Sequence, residues 1–131
     1  MAWPVDLDVR RQRRKFFVID DDDAVRRAQS LLVRSFGWDV RDFASAELCL
    51  AALQDERPDC LLLDLNMPGM NGVELQEMLS AQSTAIPVVA MTGNVDSTLS
   101  SRARAAGATA VLAKPFDENE FKASIECVIA G

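Results

Sequence analysis

Five times along this chain a short β-prone run is followed by a segment with helical spacing, and the connections between them are short. The runs are 16–19, 39–43, a run from Cys60 that gives way at Asp64, 86–91 and 110–113. Runs that are apolar throughout suit strands covered on both faces. Helices are predicted over 23–36 (stopped by Gly37), 46–54 (capped by Ser45), 73–80, 97–106 (broken by Gly107), and a last one capped by Asp117. Val25, Ala28, Leu32 and Phe36 mark the inward face of the first. Glu74, Gln76 and Glu77 point outward from the third, and Phe121, Ile125 and Val128 share one face of the last. The fourth is rich in alanine and has few large anchors. Alternation of this kind implies an α/β fold: a parallel sheet with helices on both faces and right-handed crossovers.

At 131 residues the chain has the length of one domain, without a visible repeat or second core. The expected organisation is a basic arm over 1–14 and a folded domain over 15–131. Arg10, Arg11, Arg13, Arg14 and Lys15 make the arm either a solvated leader or an anion-binding tail. The formal net charge of −6 disfavours nucleic acid as the domain's direct partner. No apolar run approaches the ~20 residues of a membrane span, and the first residues lack a signal-peptide pattern. Cys49, Cys60 and Cys127 are widely spaced, in apolar segments, with no metal or redox spacing. They read as reduced core residues of a cytoplasmic protein. The residues end just after the fifth helix, so no separate output domain is expected within them.

Chemistry is expected where strands end. Asp64 closes an apolar run, and the turn formers Pro68, Gly69, Asn71 and Gly72 follow. An ionised Asp is rarely buried without a partner, so packing does not account for it. Asp20 to Asp23 follow the first strand. Asp22 or Asp23 can cap the next helix, which leaves Asp20 and Asp21 unexplained. Thr92 ends the fourth strand and Lys114 the fifth. In a parallel sheet these ends share one edge, which is where ligands bind. Clustered carboxylates need a counter-charge, and Mg²⁺ takes oxygen ligands while keeping waters. On this reading Asp64 is the nucleophile in a phosphoryl transfer, and Lys114 and Thr92 bind phosphoryl oxygens.

The combination Val-Ile-Asp-Asp-Asp, Leu-Leu-Asp-Leu-Asn-Met-Pro-Gly-Met-Asn-Gly, Met-Thr-Gly and Lys-Pro-Phe resembles the receiver domain of two-component response regulators, over about residues 15–130. The resemblance implies a flavodoxin-like fold with strand order 2-1-3-4-5 and five helices. It implies that Asp64 accepts a phosphoryl group from a phosphohistidine on a histidine kinase or histidine phosphotransfer protein. It further implies Mg²⁺ held by Asp20, Asp21, Asp64 and the main-chain carbonyl of Asn66, with Asp21 a more direct ligand than Asp20. Lys114 and Thr92 then sense the phosphoryl group, Lys114-Pro115 is cis, and Asn66 and Asn94 tune hydrolysis. The downstream partner is an output domain or protein, and phosphorylation can drive homodimerisation. The Met-Thr-Gly and Lys-Pro-Phe-Asp-Glu runs resemble receivers joined to helix-turn-helix DNA-binding domains.

One position departs from the family. An aromatic residue usually stands three before the lysine and swings inward when the threonine moves; here it is Val111. Valine has one favoured rotamer and sweeps little volume. Switching is therefore expected to fall to the loop around Thr92 and the alanine-rich helix. Three rival readings remain. A Mg²⁺-dependent aspartyl-phosphate phosphatase usually has a second Asp where Asn66 stands, and Asn cannot act as acid or base. A flavin module needs a phosphate-cradling loop where this chain has four aspartates. A degenerate receiver serving only as a docking surface has Val111 as its support.

Overall fold

The computed structural model describes residues 14–130, so nearly all of the expected basic arm lies outside the described residues. The strands are β1 (Lys15–Ile19), β2 (Asp39–Phe43), β3 (Cys60–Asp64), β4 (Val88–Thr92) and β5 (Ala110–Ala113). The helices are α1 (Asp23–Ser35), α2 (Ala46–Leu53), α3 (Gly72–Ala81), α4 (Thr98–Ala105) and α5 (Glu118–Ala130). The strands pair in parallel in the order β2-β1-β3-β4-β5. This is the flavodoxin-like order expected from the sequence.

The alternation of side chains along each strand builds two cores. Phe17, Ile19, Leu61, Leu63 and Ala90 face the side covered by α2, α3 and α4, where Cys49, Leu75 and Ala103 join them. Phe16, Val18, Leu62, Val89 and Met91 face the other side, with Val33 of α1 and Phe121 and Ile125 of α5. β1, β3 and β4 lie inside the sheet, so their side chains are apolar on both faces except Lys15, Asp64 and Thr92 at the strand ends. β2 is an edge strand and mostly exposed, which fits its charged sequence Asp-Val-Arg-Asp-Phe.

Helix starts follow their caps. Asp22 accepts from the N–H groups of Ala24 and Val25, and Ser45 from that of Leu48. Asn71 and Glu74 form a reciprocal capping box at α3, and Asp117 and Glu120 another at α5.

Several expectations need correction. α1 ends at Ser35, with Phe36 as its cap. Its buried residues are Gln29, Ser30 and Val33, while Ala28 is exposed and Val25, Leu32 and Phe36 are only half-buried. Apolar spacing found the helix but missed the centre of its stripe, because docking on the sheet covers two polar residues. Gln76 does not point outward. It is buried between α3 and α4, and its amide donates to the Ala103 carbonyl at 3.3 Å. β4 begins at Val88 rather than residue 86, since Pro87 has no N–H to give the ladder. Cys49 and Cys60 are buried free thiols, pushed up to about 12 by burial, but Cys127 is exposed on α5.

Candidate functional site at the carboxyl edge of the sheet

Parallel pairing brings Asp20, Asp64, Thr92 and Lys114 to one edge, although Asp20 and Lys114 are 94 residues apart in sequence. Asp20 follows β1 and is fully buried. Its Oδ1 accepts the Asp22 N–H at 2.9 Å and its Oδ2 accepts from Lys114 Nζ at 2.9 Å. Its main-chain carbonyl accepts from Arg26 Nη1 at 2.8 Å. Asp21 is exposed beside it.

Asp64 is the last residue of β3 and is 4% exposed, so the carboxylate stands at the floor of the edge rather than in bulk water. Its Oδ1 accepts the Asn66 N–H at 3.1 Å and lies 3.6 Å from Lys114 Nζ. Burial is the main force that raises the Asp64 carboxyl from 3.8 to about 6. The charges of Asp20 and Asp21 push the same way, and the Asn66 N–H and Lys114 oppose them. Burial pulls the Lys114 ammonium down, but its bond to Asp20 and the charges of Asp64 and Asp20 outweigh that and raise it. Lys114 thus stays charged, and its nearer partner is Asp20 rather than Asp64.

Asp20, Asp21 and Asp64 each offer an oxygen, and these lie within 4.8 Å of one another. Three anionic oxygen donors meet one ammonium, so negative charge is left uncompensated. That donor set fits a hard divalent cation of the Mg²⁺ kind and does not fit a soft metal.

The other side of the edge carries Thr92, 1% exposed at the end of β4. Its Oγ1 donates to Asn66 Oδ1 at 2.9 Å and accepts the Asn94 N–H at 3.2 Å. The Lys114 N–H donates to the Thr92 carbonyl at 2.8 Å, which ties the two strand ends together. The Lys114-Pro115 peptide bond is cis. Val111 is half-buried on the core beneath α4, with Leu99 and Ala103.

Sequence reasoning missed three contributors. Arg26 fastens the acid loop: besides the Asp20 carbonyl it binds Asp23 at 2.6 Å and Asp42 at 3.1 Å. Nothing in the spacing chose Arg26 over Arg27. Gly72 is required because a Cβ there would lie 2.5 Å from the Asp64 carbonyl oxygen. Its place in a Gly-rich turn signalled a loop, not a close approach. Glu47 of α2 accepts the Met70 N–H at 3.3 Å and so braces the loop after β3.

A doubly wound sheet of this order, with aspartates, a threonine and a lysine gathered at its carboxyl edge, defines a class of flavodoxin-like signalling modules. The chain belongs to the response regulator receiver domain family, whose model matches residues 16–126. It is 38% identical over 106 residues to the transcriptional regulatory protein FixJ of Bradyrhizobium diazoefficiens, covering 81% of this chain and 52% of that protein. It is 36% identical over 106 residues to the response regulator protein TodT of Pseudomonas putida, covering 81% and 47%. The crystal structure of FixJ-N superposes with a TM-score of 0.83 at 33% identity, over 89% of this chain and 94% of that one. The chain spans about half the length of the curated relatives it matches. Among the described residues no helix is long and apolar enough to cross a membrane.

Proposed function

We propose that this chain is a phosphoacceptor receiver of a two-component system, with Asp64 as the residue modified. The observation that carries this reading is the buried Asp64 carboxylate, 3.6 Å from the Lys114 ammonium and within reach of Asp20 and Asp21. A carboxylate held there at about 6 is ionised at neutral pH and keeps nucleophilic character.

In the proposed reaction an Asp64 oxygen attacks phosphorus in line. The new O–P bond forms as the N–P bond of a phosphohistidine breaks, and the electron pair returns to the imidazole nitrogen. The donor is a histidine kinase, a histidine phosphotransfer protein, or a small phosphodonor. Lys114 neutralises charge on the phosphoryl oxygens, and the Thr92 hydroxyl donates to one of them. Asp20, Asp21, Asp64 and the Asn66 main-chain carbonyl are the proposed Mg²⁺ ligands. When bound, that ion supplies charge neutralisation at phosphorus and orients the transferred group. Asp20 also keeps Lys114 pointed into the site through their 2.9 Å contact.

The acyl phosphate carries about −2 charge where the carboxylate carried −1. That gain biases a surface on α4, β5 and α5, which an output domain or protein reads in the cytoplasm. Water attack on phosphorus then breaks the O–P bond, releases inorganic phosphate and restores Asp64. The chain turns over no other substrate in this scheme. The proposed receiver domain begins at residue 15.

Acetyl phosphate with Mg²⁺ should add one phosphoryl group by intact mass, and Asp64→Asn should abolish the addition. No addition from any donor would leave a docking module instead. Rapid hydrolysis of unrelated phosphate esters would mark a phosphatase.

A further inference from the structure

The Thr92 hydroxyl has one proton, and it is already in use. Its nearer acceptor is the side-chain oxygen of Asn66 at 2.9 Å, ahead of the Asn94 carbonyl at 3.5 Å. Asn66 also gives its own N–H to Asp64 Oδ1 at 3.1 Å. One exposed residue therefore touches both the carboxylate and the buried hydroxyl. The contact continues past Thr92: its oxygen accepts the Asn94 N–H at 3.2 Å, and the Asn94 carbonyl accepts from Ser100 Oγ at 2.9 Å. Ser100 is fully buried in α4. A continuous hydrogen-bonded line thus runs from Asp64 through Asn66, Thr92 and Asn94 into α4.

We propose that the Asn66 carboxamide is a resting-state latch, and that phosphorylation switches this chain by taking the Thr92 proton away from it. The proposal rests on the reading of Asp64 as the phosphoacceptor and adds a regulator of that same site. A phosphoryl oxygen and Asn66 Oδ1 cannot both hold the single proton. When the phosphoryl group takes it, Thr92 turns, its bond to Asn94 is strained, and Asn94 carries the change to Ser100. Release costs only the net worth of one modest hydrogen bond, because the Asn66 side chain already lies at the surface and water replaces Thr92. Val111 makes this exchange of partners matter more, since it offers no ring to fill space vacated by Thr92. Asn66 is a positioning residue on this account. It acts through Thr92 and lowers the fraction of molecules ready to receive a phosphoryl-like group. A ligand that needs the released form binds more weakly by that fraction.

The test uses beryllium trifluoride at saturating Mg²⁺ as a stable stand-in for the phosphoryl group. It is titrated into the ¹⁵N-labelled full chain and read at the Asn94 and Ser100 amides. Asn66→Ala should tighten apparent binding by roughly three- to tenfold, the worth of one modest hydrogen bond. In metal-free protein it should also move the Ser100 amide toward its beryllium trifluoride position. In a Thr92→Val background, Asn66→Ala should do neither, because no hydroxyl is left to hold. A latch is overturned if Asn66→Ala leaves both readouts unchanged, or if its effect is undiminished in Thr92→Val. Failure of the wild-type chain to bind beryllium trifluoride would overturn the phosphoacceptor reading and the latch together. Wild-type binding that Asn66→Ala does not alter would overturn the latch alone.

Discussion

Asp20 after β1 and Thr92 at the end of β4 are both buried at the same sheet edge, yet they are held very differently. Asp20 has partners on both carboxylate oxygens and on its main-chain carbonyl, from Asp22, Lys114 and Arg26. The strand beneath it is paired on both sides and packed with Phe16, Phe17, Val18 and Ile19, all fully buried. The Thr92 hydroxyl leans on an exposed Asn66 and on the loop entering α4. That helix buries only Ser100 and Ala103. The acid end is fastened at several points, whereas the hydroxyl end is held through loop residues leading into a helix with few buried anchors. Elements that move in a switch come from the weakly anchored part of a fold.

The largest test strikes the fixed end. Ile19→Ala empties a fully buried site directly before Asp20, and it should cost about 2–5 kcal/mol in urea unfolding. A loss no greater than that of a change in α4 would erase the contrast between the two ends.

Next comes the charge between them. Asp64 binds its proton more tightly in the folded chain, at about 6, than the ordinary 3.8. The Asp64 contribution to stability should therefore fall as pH rises from about 4 through about 6, and its cost is fully present above that window. In metal-free buffer at pH 7, Asp64→Asn should raise stability by up to about 3 kcal/mol. The gain should shrink toward nothing below pH ~4, as read from thermal melts at both pH values. An equal gain at both would mean that burial and the neighbouring aspartates are not its source.

The smallest effect belongs to the movable end. Ser100→Ala removes the hydroxyl that holds the Asn94 carbonyl, and it should cost only about 1 kcal/mol. Amide exchange over residues 94–106 should quicken while β1 and β3 keep their protection. Uniform quickening would mean that α4 is as much a part of the core as the strands.

Much of this was legible beforehand. The five strand ends and the caps at Ser45 and Asp117 follow from local chemistry, the first cap is narrowed to Asp22 or Asp23, and the strand order follows from the resemblance to receiver domains. The site residues were legible because parallel topology sends every strand's carboxyl end to one edge. The partners chosen at that edge were not. Lys114 lies closer to Asp20 than to Asp64, and Gln76 is buried under α4. Cys127 lies on an exposed face despite its apolar neighbours.

The amino-acid order by itself determined the elements and the class of fold, since periodicity, caps and turn formers act over a few residues. It also determined which chemical groups reach the rim, because a strand can only end where its apolar run stops. Tertiary packing alone decided which of those groups touch. Whether a 2.9 Å bond joins Asn66 to Thr92 depends on how β3 and β4 register and on how their loops settle, and no run of neighbouring residues encodes that distance.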